Sequence, residues 1–356
     1  MTLQVAALFV GLLALCALAA LVLFTAHTAR RVSAALPPLG RFVEVGGERI
    51  HYLERGAGPT LLLIHGLGAS MRVFTHSVLD RLSGEFRVVL MERPGSGEST
   101  REPRACARVR SQAETVSAFI RALGLDRPVL VGHSMGGAVA LAVALEHPEQ
   151  VRGLALVAPL ANAQEDVPPV FRRLIITSRA LRKLTAWTVA TPASILARAQ
   201  VMDTLFGPDA VPRDYATKGG GLLGLRPKSF CAASEDLVAL EGELPALVGR
   251  YAELRMPVGI LYGTGDRVLD HRLHGVEVAS MIKGAELELI EGGHMLPLTA
   301  PDRVAEFVRK VAREYRARAF EHGPERRGGE RRGRDALALA RMAGLTQKRV
   351  EVCLRQ

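Results

Sequence analysis

The sequence predicts an α/β fold: a mostly parallel sheet with helices on both faces, a helical insertion and an N-terminal transmembrane helix. Three observations carry this. From residue 41 onward, short apolar runs of strand length alternate with helical patterns, the order a parallel sheet requires because each crossover returns over a face. The alternation stops after Ala158-Pro159 and resumes at Met256-Pro257. Ahead of both, Val5 to Phe24 is apolar apart from Gly11, with no charge between Met1 and Arg30. That run is long enough for a membrane helix of about 20 residues.

The N-terminal segment is expected to be helical over residues 4–26. A cleaved signal peptide is the alternative, since Ala-x-Ala-like sites occur. The segment lacks a basic leading region, however, and its apolar run exceeds the usual ~7–15 residues, which favours a retained anchor. Arg30, Arg31 and Arg41 follow it and no Lys or Arg precedes it, so the positive-inside rule puts the following domain in the cytoplasm. Residues 27–40, ending in Ala35-Leu36-Pro37-Pro38-Leu39-Gly40, read as a linker. Arg41–Val45 and Arg49–Glu54, joined at Gly46-Gly47, read as a β-hairpin. Strands at Leu61–Ile64, Arg87–Met91, Pro128–Val131 and Val151–Val157 follow, with helical stretches such as Ser111–Leu123 and Ala138–Glu146 between them. With the strands at Pro257–Tyr262 and Leu287–Ile290, they define a core over 41–164 and 251–319. Residues 165–250 hold helical patterns, Gly219-Gly220-Gly221 and several prolines, without a clear strand. The tail, 321–356, carries nine Lys or Arg against five Asp or Glu, and its Gly/Pro/Arg-rich start favours disorder.

The chemistry concentrates in Val131-Gly132-His133-Ser134-Met135-Gly136-Gly137. A strand, a Gly-x-Ser-x-Gly turn and a helix make a nucleophile elbow, whose strained turn lifts the Ser134 hydroxyl above the sheet's end. Gly132 and Gly136 leave room where the chain passes close to itself. A serine hydroxyl is a weak nucleophile and needs a base, oriented in turn by a third group. Asp266 follows the strand ending at Tyr262, and His294 follows the strand ending at Ile290. Both therefore sit at strand carboxyl ends, the edge of a parallel sheet where ligands bind. Ser134 is the expected nucleophile, His294 the general base and then acid, and Asp266 the orienting carboxylate. Asp270 competes with Asp266 for the last role. His271 and His274 look like surface positions, and the His133 side chain is expected to point away from the serine. After the apolar run Leu61–Ile64, Gly66 lets the backbone turn so that the Leu67 amide faces the site. It joins the Met135 amide as an oxyanion hole, each donor contributing on the order of 3 kcal/mol to the transition state. His65 is expected to be a structural hydrogen-bonding residue.

With these motifs in order, the chain resembles the α/β-hydrolase family over roughly residues 41–319. Glu92-Arg93-Pro94-Gly95-Ser96-Gly97-Glu98-Ser99 matches the family's Asp-x-Pro-Gly-x-Gly-x-Ser loop, with Glu92 where Asp is usual, a departure expected to leave catalysis untouched. The Gly-His-Ser-Met-Gly-Gly form looks most like the serine esterase and lipase branch, membrane-anchored monoacylglycerol lipases included. The resemblance implies that 165–250 is a helical cap or lid. It also implies hydrolysis of carboxylic esters, lipophilic ones foremost, through an acyl-enzyme, with no cofactor and no metal. Serine at the elbow argues against the epoxide hydrolase and haloalkane dehalogenase branches, whose similar sequences carry an aspartate there. Thioesterase, C–C bond hydrolase and cofactor-free haloperoxidase are alternatives on the same fold. A membrane-tethered binding protein without turnover is the alternative of another class. In the cap, Phe171, Leu174, Ile175, Leu181, Leu184, Trp187, Ile195 and Leu196 form an apolar set that either receives an acyl chain or packs on the core.

Composition limits the partners. The formal charge is +10, yet no nucleic-acid motif accompanies it. Arg172, Arg173, Arg179, Arg182, Lys183 and Arg198 lie among leucines and isoleucines, a pattern that suits anionic lipid headgroups or a solvated helix face. The expected partners are a small-molecule ester or lipid substrate and membrane lipid, with no nucleic acid. Cys16, Cys106, Cys231 and Cys353 are far apart and form neither a disulfide framework nor a metal pair.

Overall fold

The computed structural model describes residues 3–102, 105–163, 167–240 and 242–321. The described residues up to Arg313 form one compact unit. The expected basic tail lies outside the described residues except for Glu321. Among the described residues, eight strands build one sheet: β1 Arg41–Val45, β2 Glu48–Arg55, β3 Thr60–Ile64, β4 Arg87–Met91, β5 Val129–His133, β6 Gly153–Val157, β7 Val258–Gly263 and β8 Glu286–Ile290. Their order is β1-β2-β4-β3-β5-β6-β7-β8. The pairs β1–β2 and β2–β4 are antiparallel, as a hairpin at one edge demands, and the rest are parallel. The helices are α1 Leu3–Ala35, α2 Arg72–Thr75, α3 Val78–Leu82, α4 Val109–Ala122, α5 Met135–Glu146, α6 Pro169–Arg172 and α7 Arg179–Trp187. They continue with α8 Ala190–Leu196, α9 Arg198–Phe206, α10 Pro227–Ala239, α11 Glu243–Val248, α12 Val278–Met281, α13 Leu296–Thr299 and α14 Pro301–Glu321.

Side-chain alternation along the strands sorts the core into two layers. Leu62 and Ile64 of β3, Val89 and Met91 of β4 and Leu154 and Leu156 of β6 face α4, α5 and α11. Leu61 and Leu63, Val88 and Leu90, and Ala155 and Val157 face the opposite side, against α2, α3 and α14. Central strands covered on both faces have no polar side to show, which is why they read as continuous apolar runs. Helix α5 is buried from Met135 through Leu145. It is apolar all round because the sheet lies on one side and α4 on the other.

One segment differs from expectation, and a second resolves a choice that the sequence left open. The N-terminal helix does not stop at residue 26 before a linker; α1 runs unbroken to Ala35 and ends only ahead of Pro37-Pro38, which cannot continue a helix. Its last turns are held by packing, with Val32 and Leu36 buried against Leu223. The Thr25 hydroxyl donates to the Thr188 carbonyl at 3.3 Å, and Arg72 donates to the Pro37 carbonyl at 2.6 Å. Between β6 and β7 the chain forms α6 to α11 and a 3₁₀ turn at Gly221–Leu225, with no strand among the described residues. There the apolar set divides. Phe171, Ile175 and Ile195 line a cavity above the sheet, and Leu174 packs with Ala186, Ala190 and Phe230. Leu181, Leu184, Trp187 and Leu196 face outward.

Candidate active site

Ser134 follows β5 at φ 55° and ψ −125°, a left-handed conformation that costs a non-glycine residue about 1–3 kcal/mol. Hydrogen bonds on both sides hold it there. The Ser134 amide donates to Val157 at 3.1 Å, and its carbonyl accepts from Gly137 at 2.8 Å and Leu160 at 2.9 Å. A Cβ on Gly132 would stand 2.6 Å from the Gly136 carbonyl oxygen, so this glycine admits the close pass expected of it. Gly136 answers a different neighbour: a Cβ there would stand 2.1 Å from the Ile64 carbonyl oxygen at the end of β3.

The carboxyl edge of the sheet brings Asp266 and His294 together. After β7, the Asp266 carboxylate accepts the Val268 amide at 2.8 Å and the Leu269 amide at 3.0 Å on Oδ1. That leaves Oδ2 for His294 Nδ1 at 2.7 Å. Burial opposes the charge on Asp266, but His294 and the two amides outweigh it and hold its carboxyl below the ordinary value. Asp270 is turned away, its exposed carboxylate accepting the Arg272 amide at 2.9 Å. The histidine turn is shaped by glycine: a Cβ on Gly293 would stand 2.5 Å from the Gly207 carbonyl oxygen.

One residue beside this pair was not singled out in the sequence, and two others sit differently from expectation. Asp209 accepts the Gly293 amide at 2.8 Å and fixes the turn that presents His294. His133, expected to point away from the serine, reaches the same turn. Burial, then proximity to His294, pushes its pKa down to about 3. The neutral ring therefore donates Nε2–H to the His294 carbonyl at 3.1 Å. His274 corrects an expectation outright. It is fully buried rather than on the surface, its Nδ1 accepting the Ala161 and Asn162 amides at 3.2 and 3.0 Å. Burial lowers its pKa to about 4.

On the other side of the serine, His65 donates Nδ1–H to the Gly66 carbonyl at 2.8 Å and accepts the Arg93 amide on Nε2 at 3.1 Å. Burial, and then Arg93, keep this imidazole neutral. The fully buried Arg93 guanidinium donates to the carbonyls of His65 and Gly66 at 3.0 and 2.9 Å, to Gln112 at 2.8 Å and to Asp236 of α10 at 2.7 Å. The loop carrying the Leu67 amide is thus clamped from below. Met135 is the first residue of α5, so its amide precedes the helix's own hydrogen-bond ladder. Glu92, in the place of the usual aspartate, is buried against His51, whose Nδ1 donates to it at 2.8 Å. It takes no part in the serine's surroundings.

Ser134, His294, Leu67 and Met135 all line one cavity of about 1040 Å³ whose remaining wall is largely apolar. Phe171, Leu205, Leu225 and Leu244 are part of that wall. A volume of this order suits a ligand of drug size or larger. Among the described residues, no three His, Cys, Asp or Glu side chains gather as a metal would require.

Comparison with known proteins agrees with this architecture. The profile of the alpha/beta hydrolase fold matches residues 59–301. An uncharacterized protein of Mycobacterium tuberculosis is 30% identical over 316 residues, 85% of this chain and 90% of that protein. Haloalkane dehalogenase 2 of the same species is 25% identical over 279 residues, covering 74% of this chain and 92% of the enzyme. Among solved structures, a membrane phospholipase A superimposes with a TM-score of 0.63 at 27% identity, over 87% of this chain and 99% of its own. Matched over most of its core and along nearly the full length of these relatives, the chain belongs to the α/β-hydrolase family.

Proposed function

We propose that the protein is a membrane-anchored serine hydrolase that cleaves carboxylic esters of lipophilic, monoacylglycerol-like substrates. The observation that carries this reading is the buried Asp266–His294 pair at 2.7 Å, set beside a strained Ser134 in one apolar cavity. In the first step the Ser134 oxygen attacks the ester carbonyl while its proton passes to His294 Nε2, and Asp266 stabilises the resulting imidazolium. The Leu67 and Met135 amides receive the oxyanion. Collapse breaks the bond to the alcohol, which leaves with the proton from His294. Water then repeats the sequence on the acyl-enzyme and releases the acid. The apolar wall supports a long acyl chain, and likeness to a membrane phospholipase A supports a lipid ester.

The long apolar helix α1 is compatible with either a membrane anchor or a signal sequence. The anchor is favoured because its last turns form part of the folded domain: cleavage anywhere from Ala26 to Ala35 would remove the Thr25–Thr188 hydrogen bond, and cleavage past Val32 would also take that partner from Leu36 and Leu223. Arg30, Arg31 and Arg41 argue for a cytoplasmic domain.

A fluorophosphonate probe tests the chemistry. It should label the wild-type chain and fail on Ser134→Ala, with esterase activity falling at least ~10³-fold while the fold is retained. Labelling of Ser134→Ala at the wild-type rate would refute the assignment. Labelling of neither chain would favour a binding protein.

A further inference from the structure

Helix α7 is inside out for a water-soluble surface. Its buried edge is Arg182 and Ala186, one turn apart. The Arg182 guanidinium donates to Ser234 Oγ at 2.9 Å, Glu235 at 3.2 Å and the Ile176 carbonyl at 2.7 Å. The opposite edge carries Leu181, Leu184 and Trp187 at successive three-residue steps, 52%, 54% and 46% exposed. Val189 and Leu196 extend the apolar patch at 49% and 86%. A contiguous apolar patch rimmed by polar residues marks an interaction surface. Leu181, Leu184, Trp187 and Leu196 are not among the residues lining the cavity, so the patch is not its acyl wall.

Helix α1 indicates what covers this face. At 1.5 Å per residue, Val5–Phe24 spans about 30 Å, the thickness of the hydrocarbon core of a bilayer. Thr25 therefore stands at the hydrocarbon boundary, and α7 meets α1 at that level. The Thr25 hydroxyl donates to the Thr188 carbonyl at 3.3 Å, and both threonines are buried. Trp187 shares a surface groove with Ala26, Ala29, Arg30 and Ser33. The joint is helix against helix, so the depth of α1 sets the depth of α7. Tryptophan is enriched at this interfacial level. The exposed cations Arg30, Arg31, Arg179 and Lys183 match the anionic headgroups just outside it. Ile175 and Ile195 line the catalytic cavity and are themselves 50% and 43% exposed. Ile195 and Leu196 are consecutive in α8 and both exposed, so the cavity's open rim borders this patch.

We propose that the outer face of α7 and α8 docks on the leaflet of the membrane that α1 crosses, so that the cavity takes its lipid laterally from that leaflet past Ile175 and Ile195. The proposal rests on the reading of α1 as a membrane span. Trp187 is the single tryptophan of the chain, so its emission reports on this face alone. The full chain is reconstituted in vesicles of phosphatidylcholine and phosphatidylglycerol. Trp187 should be quenched by lipids carrying a shallow nitroxide and shielded from aqueous iodide. A chain that fails to float with the vesicles refutes the anchor itself. A chain that floats, with Trp187 open to iodide and unaffected by the nitroxide, refutes the docking alone. Shielding without lipid quenching that grows with the protein-to-lipid ratio would assign the face to a second copy and overturn the proposal. As a separate measurement, the double variant Leu181→Glu, Leu184→Glu should slow hydrolysis of a vesicle-embedded ester by about tenfold or more. Turnover of dissolved p-nitrophenyl butyrate should stay unchanged. Equal loss on both substrates, or on neither, counts against lateral loading.

Discussion

Asp266→Asn should cost far more than its single-atom change suggests, and the geometry says why. Two backbone amides, Val268 and Leu269, both donate to Oδ1. An asparagine must keep its carbonyl oxygen in that place, because turning the amide over would aim its own N–H groups at two donors. Its Nδ2 then faces His294 Nδ1, where the carboxylate oxygen accepted at 2.7 Å. Two donors cannot share that contact, so the imidazole moves its proton to Nε2 and can no longer take one from Ser134. The same exchange of tautomer in a serine protease triad lowers kcat by ~10⁴, about 5.5 kcal/mol of barrier. Asp270→Asn retains the oxygen that accepts the Arg272 amide and lies in an exposed position. It should stay within about 0.5 kcal/mol in stability and near wild type in rate. The assay is kcat and KM on a soluble p-nitrophenyl ester for both variants, with thermal unfolding as the control for folding. An Asp266→Asn enzyme keeping more than a tenth of wild-type kcat, or an Asp270→Asn enzyme that loses more than Asp266→Asn, would refute the reasoning.

Arg93→Met should destabilise the chain by about 3–5 kcal/mol in a denaturant titration, because it breaks a fully buried ion pair and strips the His65 and Gly66 carbonyls of their donor. In whatever fraction folds, kcat should fall more than KM rises, since the clamped loop serves the oxyanion rather than substrate binding. His133 and His274 are held neutral down to about 3 and about 4, whereas an unfolded histidine protonates near 6.5. Below that pH the unfolded chain binds more protons, so stability should be full above about 6.5 and fall as the pH drops toward 4. His133→Gln, which can still donate to the His294 carbonyl, should lessen that slope by about 1.4 kcal/mol per pH unit; an unchanged slope between pH 6 and 5 would show that His133 does not contribute. A C-terminal reporter active only in the cytoplasm should work on the full chain, and one active only after export should not. An active export reporter on an uncleaved chain would reverse the orientation.

Much of the site was legible because its determinants are local. The Gly-x-Ser-x-Gly turn and the His65-Gly66 turn are backbone requirements written in adjacent residues. The buried strands declared themselves as apolar runs for the same reason. Once β7 and β8 pair in parallel, Asp266 and His294 must meet at one edge, since both follow strand ends. The choice between Asp266 and Asp270 was not local. They lie four residues apart in one loop, and only the amides of Val268 and Leu269, folded back onto Oδ1, aim the first at the histidine. Burial of His274 likewise depends on amides contributed by Ala161 and Asn162, more than a hundred residues away in sequence. The end of α1 and the outward face of α7 went unread because hydrophobic spacing states that a face must be covered without saying by what. Thr25 found Thr188, Val32 and Leu36 found Leu223, and Arg182 took the inner edge of α7 because Ser234 and Glu235 could satisfy its charge there. Leu181, Leu184 and Trp187 were left on the outside by that exchange, a result that only packing between distant segments could decide.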